Sequence, residues 1–300
     1  MPLDALRAFG PVTIDVDRER CHACGTCARV CPEEVLTVQE GRLVVGHGHG
    51  LGCVACGHCA CICPYDALRV SGRDLSPSDA VPLHGETADY QRLQRLLLGR
   101  RSIRRFRKEP VAQEELDRIL DAAATAPMGF PPSHVGVLIA NGREQVQALR
   151  LDLLEGVRGM RRFMGGMRPL LGIMMGREAA EGVKRFILPV AEAYDERDAR
   201  GEDIFFYDAP LAIYFYGRAL ADPTDPVIAG TLAMTAAHAL GLGTCVLGFP
   251  GPVLQHSGKL RRKYGLPERI QPGMCLAVGH PVFKFRRALR RRFVDVRTVA

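Results

Sequence analysis

The chain opens without an apolar run: MPLDALRAFG carries Asp4, which argues against a secretory signal and for a cytoplasmic protein. It also has no long unbroken hydrophobic span. Residues 226–258 contain no Asp, Glu, Lys or Arg, but Gly241, Gly243, Gly248, Pro250 and Pro252 interrupt them. That pattern reads as a buried helix followed by a turn-rich segment, and no membrane partner is expected. Aromatic residues make up only 6% of the chain, and no DNA-reading motif stands beside its basic runs, so nucleic acid is not expected either. A Ser-His-Asp constellation is missing too. What is present is 47% hydrophobic with a mean hydropathy near zero, which excludes general disorder and a polytopic membrane protein. A length of 300 residues suggests about two domains.

The net charge of +7 is concentrated. Residues 100–108 and 284–292 each hold six basic groups and no acid, and the rest of the chain is net −5. Two local anion sites describe this better than a generally basic surface.

Nine of the 11 cysteines lie between Cys21 and Cys63. The segment CHACGTCARVCPEEVLTV (21–38) recurs as CVACGHCACICPYDALRV (53–70), identical at 10 of 18 positions. Each copy is C-x2-C-x2-C-x3-C-P, the bacterial run that holds two [4Fe–4S] clusters. Three cysteines two residues apart let a short turn wrap three corners of one cube, and the fourth, before proline, reaches the neighbouring cube. Cys21, Cys24, Cys27 and Cys63 are therefore expected to hold one cluster, and Cys53, Cys56, Cys59 and Cys31 the other. Structural zinc and disulfides are the alternatives; separated CxxC pairs would favour the first and a secretion signal the second. Residues 12–72 resemble a dicluster bacterial ferredoxin. Cys61 is surplus, either a packed thiol or a competitor of Cys59 and Cys63. His47 and His49 sit in a Gly-rich loop without dinucleotide-binding spacing and read as solvated turn residues. Cys245 and Cys275, in apolar surroundings, read as core thiols.

Residues 72–88 are rich in Ser, Pro, Gly and Asp. The expected organisation is an iron–sulfur domain at 1–75, a linker at 76–88 and a larger domain at 89–300. Helical spacing covers 89–99, 112–125, 143–164, 178–200 and 226–240, and strands are expected at 135–140, 209–217 and 273–279. Within this part, RRSIRRFRKEPV (100–111), ALGLGTCVLGF (239–249) and LAVGHPVFKFR (276–286) are similar, in order and spacing, to the three flavin segments of the nitroreductase family. The resemblance implies an α+β nitroreductase-like fold behind the ferredoxin-like domain. It further implies a homodimer with FMN at its interface and two-electron reduction of a nitroaromatic, quinone or related small-molecule acceptor. On this resemblance Arg100, Arg101 and Ser102, with Lys284 and Arg286, match phosphate contacts. Arg104 matches the cation beside the flavin pyrimidine edge, and the backbone of Gly248 and Phe249 matches positions against the ring.

The segment APMGFPPSHVGVLIA (126–140) departs from the family pattern. Pro131 falls where many relatives have Asn, Ser133 where they have Gln, and Val135 where they have Trp; Pro131 and Ser133 remain candidate flavin neighbours. The Met cluster (Met160, Met164, Met167, Met174, Met175) reads as adaptable core or as a pliable substrate wall, and His134 and His238 as core or turn residues. The expectation is an FMN-dependent oxidoreductase carrying two [4Fe–4S] clusters, with a redox protein or NAD(P)H as donor. The alternative is a non-enzymatic electron-transfer module serving a protein partner.

Overall fold

The structure is a computed structural model. It describes residues 11–48, 52–73, 75–83, 85, 87–129, 134–167, 173, 176–218, 221–289 and 291–299. Pro131, Ser133, His49, Met174 and Met175 lie outside the described residues. By spatial proximity the chain divides into two compact units, Met1–Thr87 with Met128–His134, and Ala88–Pro127 with Val135–Ala300.

In the first unit, β1 (Thr13–Val16) pairs antiparallel with β4 (Leu68–Ser71), and β2 (Leu36–Gln39) with β3 (Arg42–Val45). Two short helices, α1 (Thr26–Val30) and α2 (His58–Cys61), start inside the two cysteine runs. The duplication is written in the backbone. Ala23 and Ala55 (φ 51° and 58°), Gly25 and Gly57 (75° and 72°), and Glu34 and Asp66 (52° and 50°) all take left-handed conformations at matching positions of the two copies. Gly25 and Gly57 cap their helices without strain, whereas the non-glycine pairs sit in a region that costs energy. A backbone bent twice in the same unfavourable way is bent to aim its cysteines. The unit's core is small: Val35, Leu36, Leu43, Leu68 and Val70 pack around Cys27 and Cys59.

The second unit is built on a four-stranded antiparallel sheet ordered β5-β6-β8-β7: β5 (Val135–Asn141), β6 (Leu211–Arg218), β7 (Gly243–Leu247) and β8 (Ile270–Gly279). In the central strand β6, Leu211, Ile213 and Phe215 join one core and Ala212 and Tyr214 the other. Both faces are covered, so the strand reads as a continuous apolar run. Over the first face lie α4 (Gln113–Ala124) and α8 (Asp225–Ala239), which has no charged residue after Asp225, through Leu116 and Ile119 and through Ala229, Ala233 and Ala237. Over the second lie α5 (Arg143–Gly166) and α9 (Pro250–His256), through Leu149, Leu153 and Val253. Helix α3 (Tyr90–Gly99) leads into the first basic run, and α10 (Gly258–Lys263) follows α9.

The expected helix at 178–200 is interrupted. α6 (Arg177–Gly182) passes through a π-helical turn, Val183–Ile187, into α7 (Leu188–Ala199). Pro189 lies in the first turn of α7, where its ring cannot donate to the ladder and would crowd the carbonyl of Arg185, so a wider turn relieves the clash. α7 is tied to α5 by ion pairs: Arg150 to Asp198 at 2.7 Å, and Arg158 to Asp195 at 2.6 Å and to Asp198 at 2.9 Å. Burial alone would raise the Asp198 carboxyl, but hydrogen bonds from Arg150 and Arg158 hold it below its ordinary value.

Candidate functional site

Seven of the eight motif cysteines fall into two groups. Cys31, Cys53, Cys56 and Cys59 line one cavity, closed by Ile14 and Val70. In the other group, Cys27 has Cys63 and Cys24 as its charged-form neighbours, while Cys59 has Cys53, Cys56 and Cys31. The first group thus takes three cysteines from one run and its fourth from the other, and the second sets Cys24 and Cys27 of one run beside Cys63 of the other. Burial pushes the Cys59 thiol up to about 12, and Cys27 and Cys53 are raised for the same reason; Cys24, beside the Thr26 hydroxyl, is lowered. Among the described residues no three His, Cys, Asp or Glu side chains close on a point as ligands of a single ion do. Four thiols lining one cavity are the donor set that a [4Fe–4S] cluster takes. Cys61 is exposed and does not line the cavity.

In the larger unit the two basic runs converge, and the backbone explains how. Ser102 bridges Thr244 of β7 in parallel, with Ile103 N–H donating to the Thr244 carbonyl at 2.8 Å. Farther along, Arg107 N–H donates to the His280 carbonyl at 2.8 Å, and Val282 N–H to the Arg105 carbonyl at 3.1 Å. The first run is thereby laid along β7 and then against the chain leaving β8. Gly243 permits the approach: a Cβ there would meet the Ile103 side chain at 2.6 Å. The result is a cavity of about 310 Å³ whose cations are Arg100, Arg101 and Lys284. Among the described residues no carboxylate lines it. Thr244, 2% exposed, lines the same cavity, and its buried hydroxyl has no hydrogen-bond partner among the described residues. Three cations and an unpartnered buried hydroxyl make a site suited to a phosphate.

The remaining candidates lie apart from that cavity. Arg104 projects elsewhere, its guanidinium 5.9 Å from the centre of the Tyr207 ring. It is held above its ordinary range first by the Cys245 thiol and then by the Tyr207 hydroxyl. Tyr207 and Asp208 both take left-handed backbone (φ 58° and 53°), secured by the Asp203 carboxylate, which accepts from the backbone N–H of Phe205, Phe206 and Asp208. Gly248 is exposed, with open space on its side-chain face. The Phe249 ring turns inward and meets Tyr194 edge-on at 5.2 Å. Arg286 is exposed and is not among the residues lining the cavity. Met160 packs on the core beside α5, and Met164 and Met167 pack against Val183 and Leu188. Cys275 is fully enclosed, as expected of a core thiol; Cys245 is equally buried but has Arg104 beside it. His238, read from sequence as a core or turn residue, lines the cation cavity.

Comparison with known proteins decides the family. The nitroreductase family model matches residues 97–280, more than half of the chain. The chain belongs to the nitroreductase family. A second model, the 4Fe-4S binding domain, matches residues 14–37, so this nitroreductase-family chain carries an N-terminal iron–sulfur domain of the ferredoxin type. The chain is 27% identical over 185 residues to the FMN reductase [NAD(P)H] of Bacillus subtilis (strain 168), covering 62% of this chain and 64% of that one. It therefore spans less than two thirds of the length of that curated relative. Among solved structures, the nitroreductase with bound FMN from Bacteroides fragilis NCTC 9343 aligns with a TM-score of 0.50 at 17% identity, over 69% of this chain and 97% of that one. The nitroreductase with bound FMN from Desulfitobacterium hafniense DCB-2 aligns with a TM-score of 0.49 at 20% identity, again over 69% and 97%. The fold is the α+β nitroreductase fold. No helix among the described residues is long and apolar enough to cross a membrane.

Proposed function

We propose that this nitroreductase-family chain is an FMN-dependent oxidoreductase supplied with electrons by two [4Fe–4S] clusters in its own N-terminal domain, and that it reduces a nitroaromatic, quinone or similar small organic acceptor. The observation that carries the flavin half is the cavity in which Arg100, Arg101, Lys284 and the unpartnered Thr244 hydroxyl meet. The one that carries the iron–sulfur half is the exchange of Cys31 and Cys63 between the two cysteine groups.

When bound, FMN supplies the exchange of one or two electrons with partners of different kinds. Arg100, Arg101 and Lys284 neutralise and orient its phosphate, and Ser102 and Arg286, exposed and outside the cavity lining, are assigned to the phosphate by the family resemblance alone. Arg104 places a fixed cation where negative charge on the reduced ring needs an offset, and Tyr207 and Cys245 hold that cation in place. Gly248 leaves its backbone open to the ring. Pro131 and Ser133 stand where relatives carry amide side chains, so hydrogen bonding at the pyrimidine edge is supplied by backbone or omitted. The apolar shell around Cys27 and Cys59 excludes water from the cluster sites.

The working form is a homodimer in the cytoplasm. After β8 the chain carries exposed Phe283, Phe285, Phe293 and Val294, a line of apolar side chains that a second copy would cover. The domains are residues 1–75 and 89–300 with the linker at 76–88. A tethered donor stays at high effective concentration, which gives the fusion its kinetic sense. The Bacillus subtilis relative is named for NAD(P)H, which favours a second entry route, hydride from a nicotinamide, alongside a ferredoxin-type donor.

Stopped-flow reoxidation tests the reading. Reduced protein mixed anaerobically with a nitroaromatic or a quinone regains its oxidised flavin spectrum rapidly. Flavin that reoxidises only when a redox protein is added identifies an electron-transfer module instead.

A further inference from the structure

The cation cavity contains one titratable side chain that the sequence did not single out. His238 stands in the last turn of α8, and its ring packs over the end of α3 so closely that a Cβ on Gly99 would lie 3.1 Å from Nε2. A side chain at position 99 would press on the imidazole and make it shift. The ring shares the cavity with Arg100, Arg101 and Lys284 and hydrogen-bonds to no described residue. Among the described residues, the charged groups that line the cavity with it are Arg100 and Arg101, from the segment after α3, and Lys284, from the segment after β8; β7 brings Gly243 and Thr244 and no charge. An imidazole with a free ring nitrogen, crowded by cations and facing no acid, has nothing in the protein alone to favour its protonation. Burial and then Arg100 hold it below the ordinary histidine value.

A phosphate monoester in the same cavity inverts that balance. Its second ionisation lies near about pH 6, so at neutral pH it brings close to two negative charges. An imidazolium then gains a charge-assisted hydrogen bond and a counter-ion together. We propose that His238 is a further ligand of the FMN phosphate and that it takes up one proton as the phosphate docks. The proposal rests on the reading of this cavity as the phosphate site. The proton comes from solvent, moves to a ring nitrogen and returns when the flavin leaves; no other bond changes. Linkage sets the sign: a group protonated only in the complex makes binding tighter as pH falls. Riboflavin, which has no phosphate, lacks this dependence. Full occupation of the site is therefore favoured at the acid end of the physiological range.

The test uses the full-length chain loaded with FMN or with riboflavin. The chain is diluted at pH values from 6.5 to 8, and free-flavin fluorescence gives Kd. The expected result is that FMN binding tightens about three- to tenfold from pH 8 to pH 6.5 beyond any change seen with riboflavin. In His238→Gln and His238→Asn that excess disappears, and FMN binds about tenfold more weakly at pH 6.5 with riboflavin unaffected. A pH dependence that is absent in the parent protein, or that survives both substitutions, overturns the role of His238. The underlying reading has its own arm. If Arg100→Ala and Lys284→Ala weaken riboflavin as much as FMN, the cavity is not the phosphate site and the inference falls with it.

Discussion

Replacing Arg100 and Arg104 one at a time separates the two jobs assigned to the first basic run. Arg100 is half-buried in the cation cavity, whereas Arg104 is exposed and lies over Tyr207, outside that cavity. A hydrogen bond to a charged group contributes about 1.5–3 kcal/mol, which converts to roughly ten- to 150-fold in affinity. Arg101 and Lys284 remain beside the phosphate in Arg100→Ala, so its loss belongs at the lower end, about tenfold for FMN and close to nothing for riboflavin. Arg104→Ala removes a cation that favours the reduced ring over the oxidised one, and it acts on both flavins. Solvent screens an exposed guanidinium, so about 1 kcal/mol of differential stabilisation is a fair ceiling, or about 20 mV off the two-electron potential. Kd by flavin fluorescence and the potential by dye-coupled anaerobic titration read the two effects independently. Equal losses for FMN and riboflavin in both variants, with no change in potential, would mean that these arginines only fold the loop.

Three further outcomes are expected. Cys63→Ala should damage the cluster held by Cys21, Cys24 and Cys27, and Cys31→Ala the one held by Cys53, Cys56 and Cys59, each leaving about four iron per chain. Electron paramagnetic resonance of the reduced variants assigns the loss, and loss of the cluster in the variant's own run refutes the crossed ligation. Cys61→Ala, at an exposed thiol outside the cluster cavity, should leave iron content unchanged; a lost cluster would make it a ligand. Asp198→Asn should destabilise the fold at pH 7 by about 1–3 kcal/mol, measured by urea unfolding, because Arg150 and Arg158 lose a buried partner. The folded carboxyl titrates below its unfolded value, so its contribution is complete above about pH 5 and fades as pH falls through the folded pKa. The gap between parent and variant should therefore narrow in acid, and a gap that widens there contradicts the assignment.

The parts of this molecule that were legible in its sequence are those whose chemistry is local. A cluster run keeps its ligands two or three residues apart, so the duplicated cysteines marked the domain and led to the expectation that Cys31 and Cys63 are exchanged. The charge-free stretch marked α8, whereas the two basic runs, read from sequence as two local anion sites, share one cavity through Arg100, Arg101 and Lys284. Strand β7 was harder to see as a strand, because Gly243–Leu247 continues the apolar run of the preceding helix and periodicity cannot divide them. The π-helical turn before Pro189 leaves no periodic trace. His238 and Thr244 were invisible as site residues for a different reason. Each is a single polar residue in an apolar setting, placed by the packing of α8 on α3 and of the basic segment on β7, and such contacts have no spacing to read.

The most direct test of the central claim is the cofactor content of the full-length protein purified without oxygen. Two complete cysteine groups and one phosphate cavity per chain predict about eight iron, about eight acid-labile sulfide and one FMN. Zinc in place of iron, half that iron content, or a chain that holds clusters but no flavin would contradict the account.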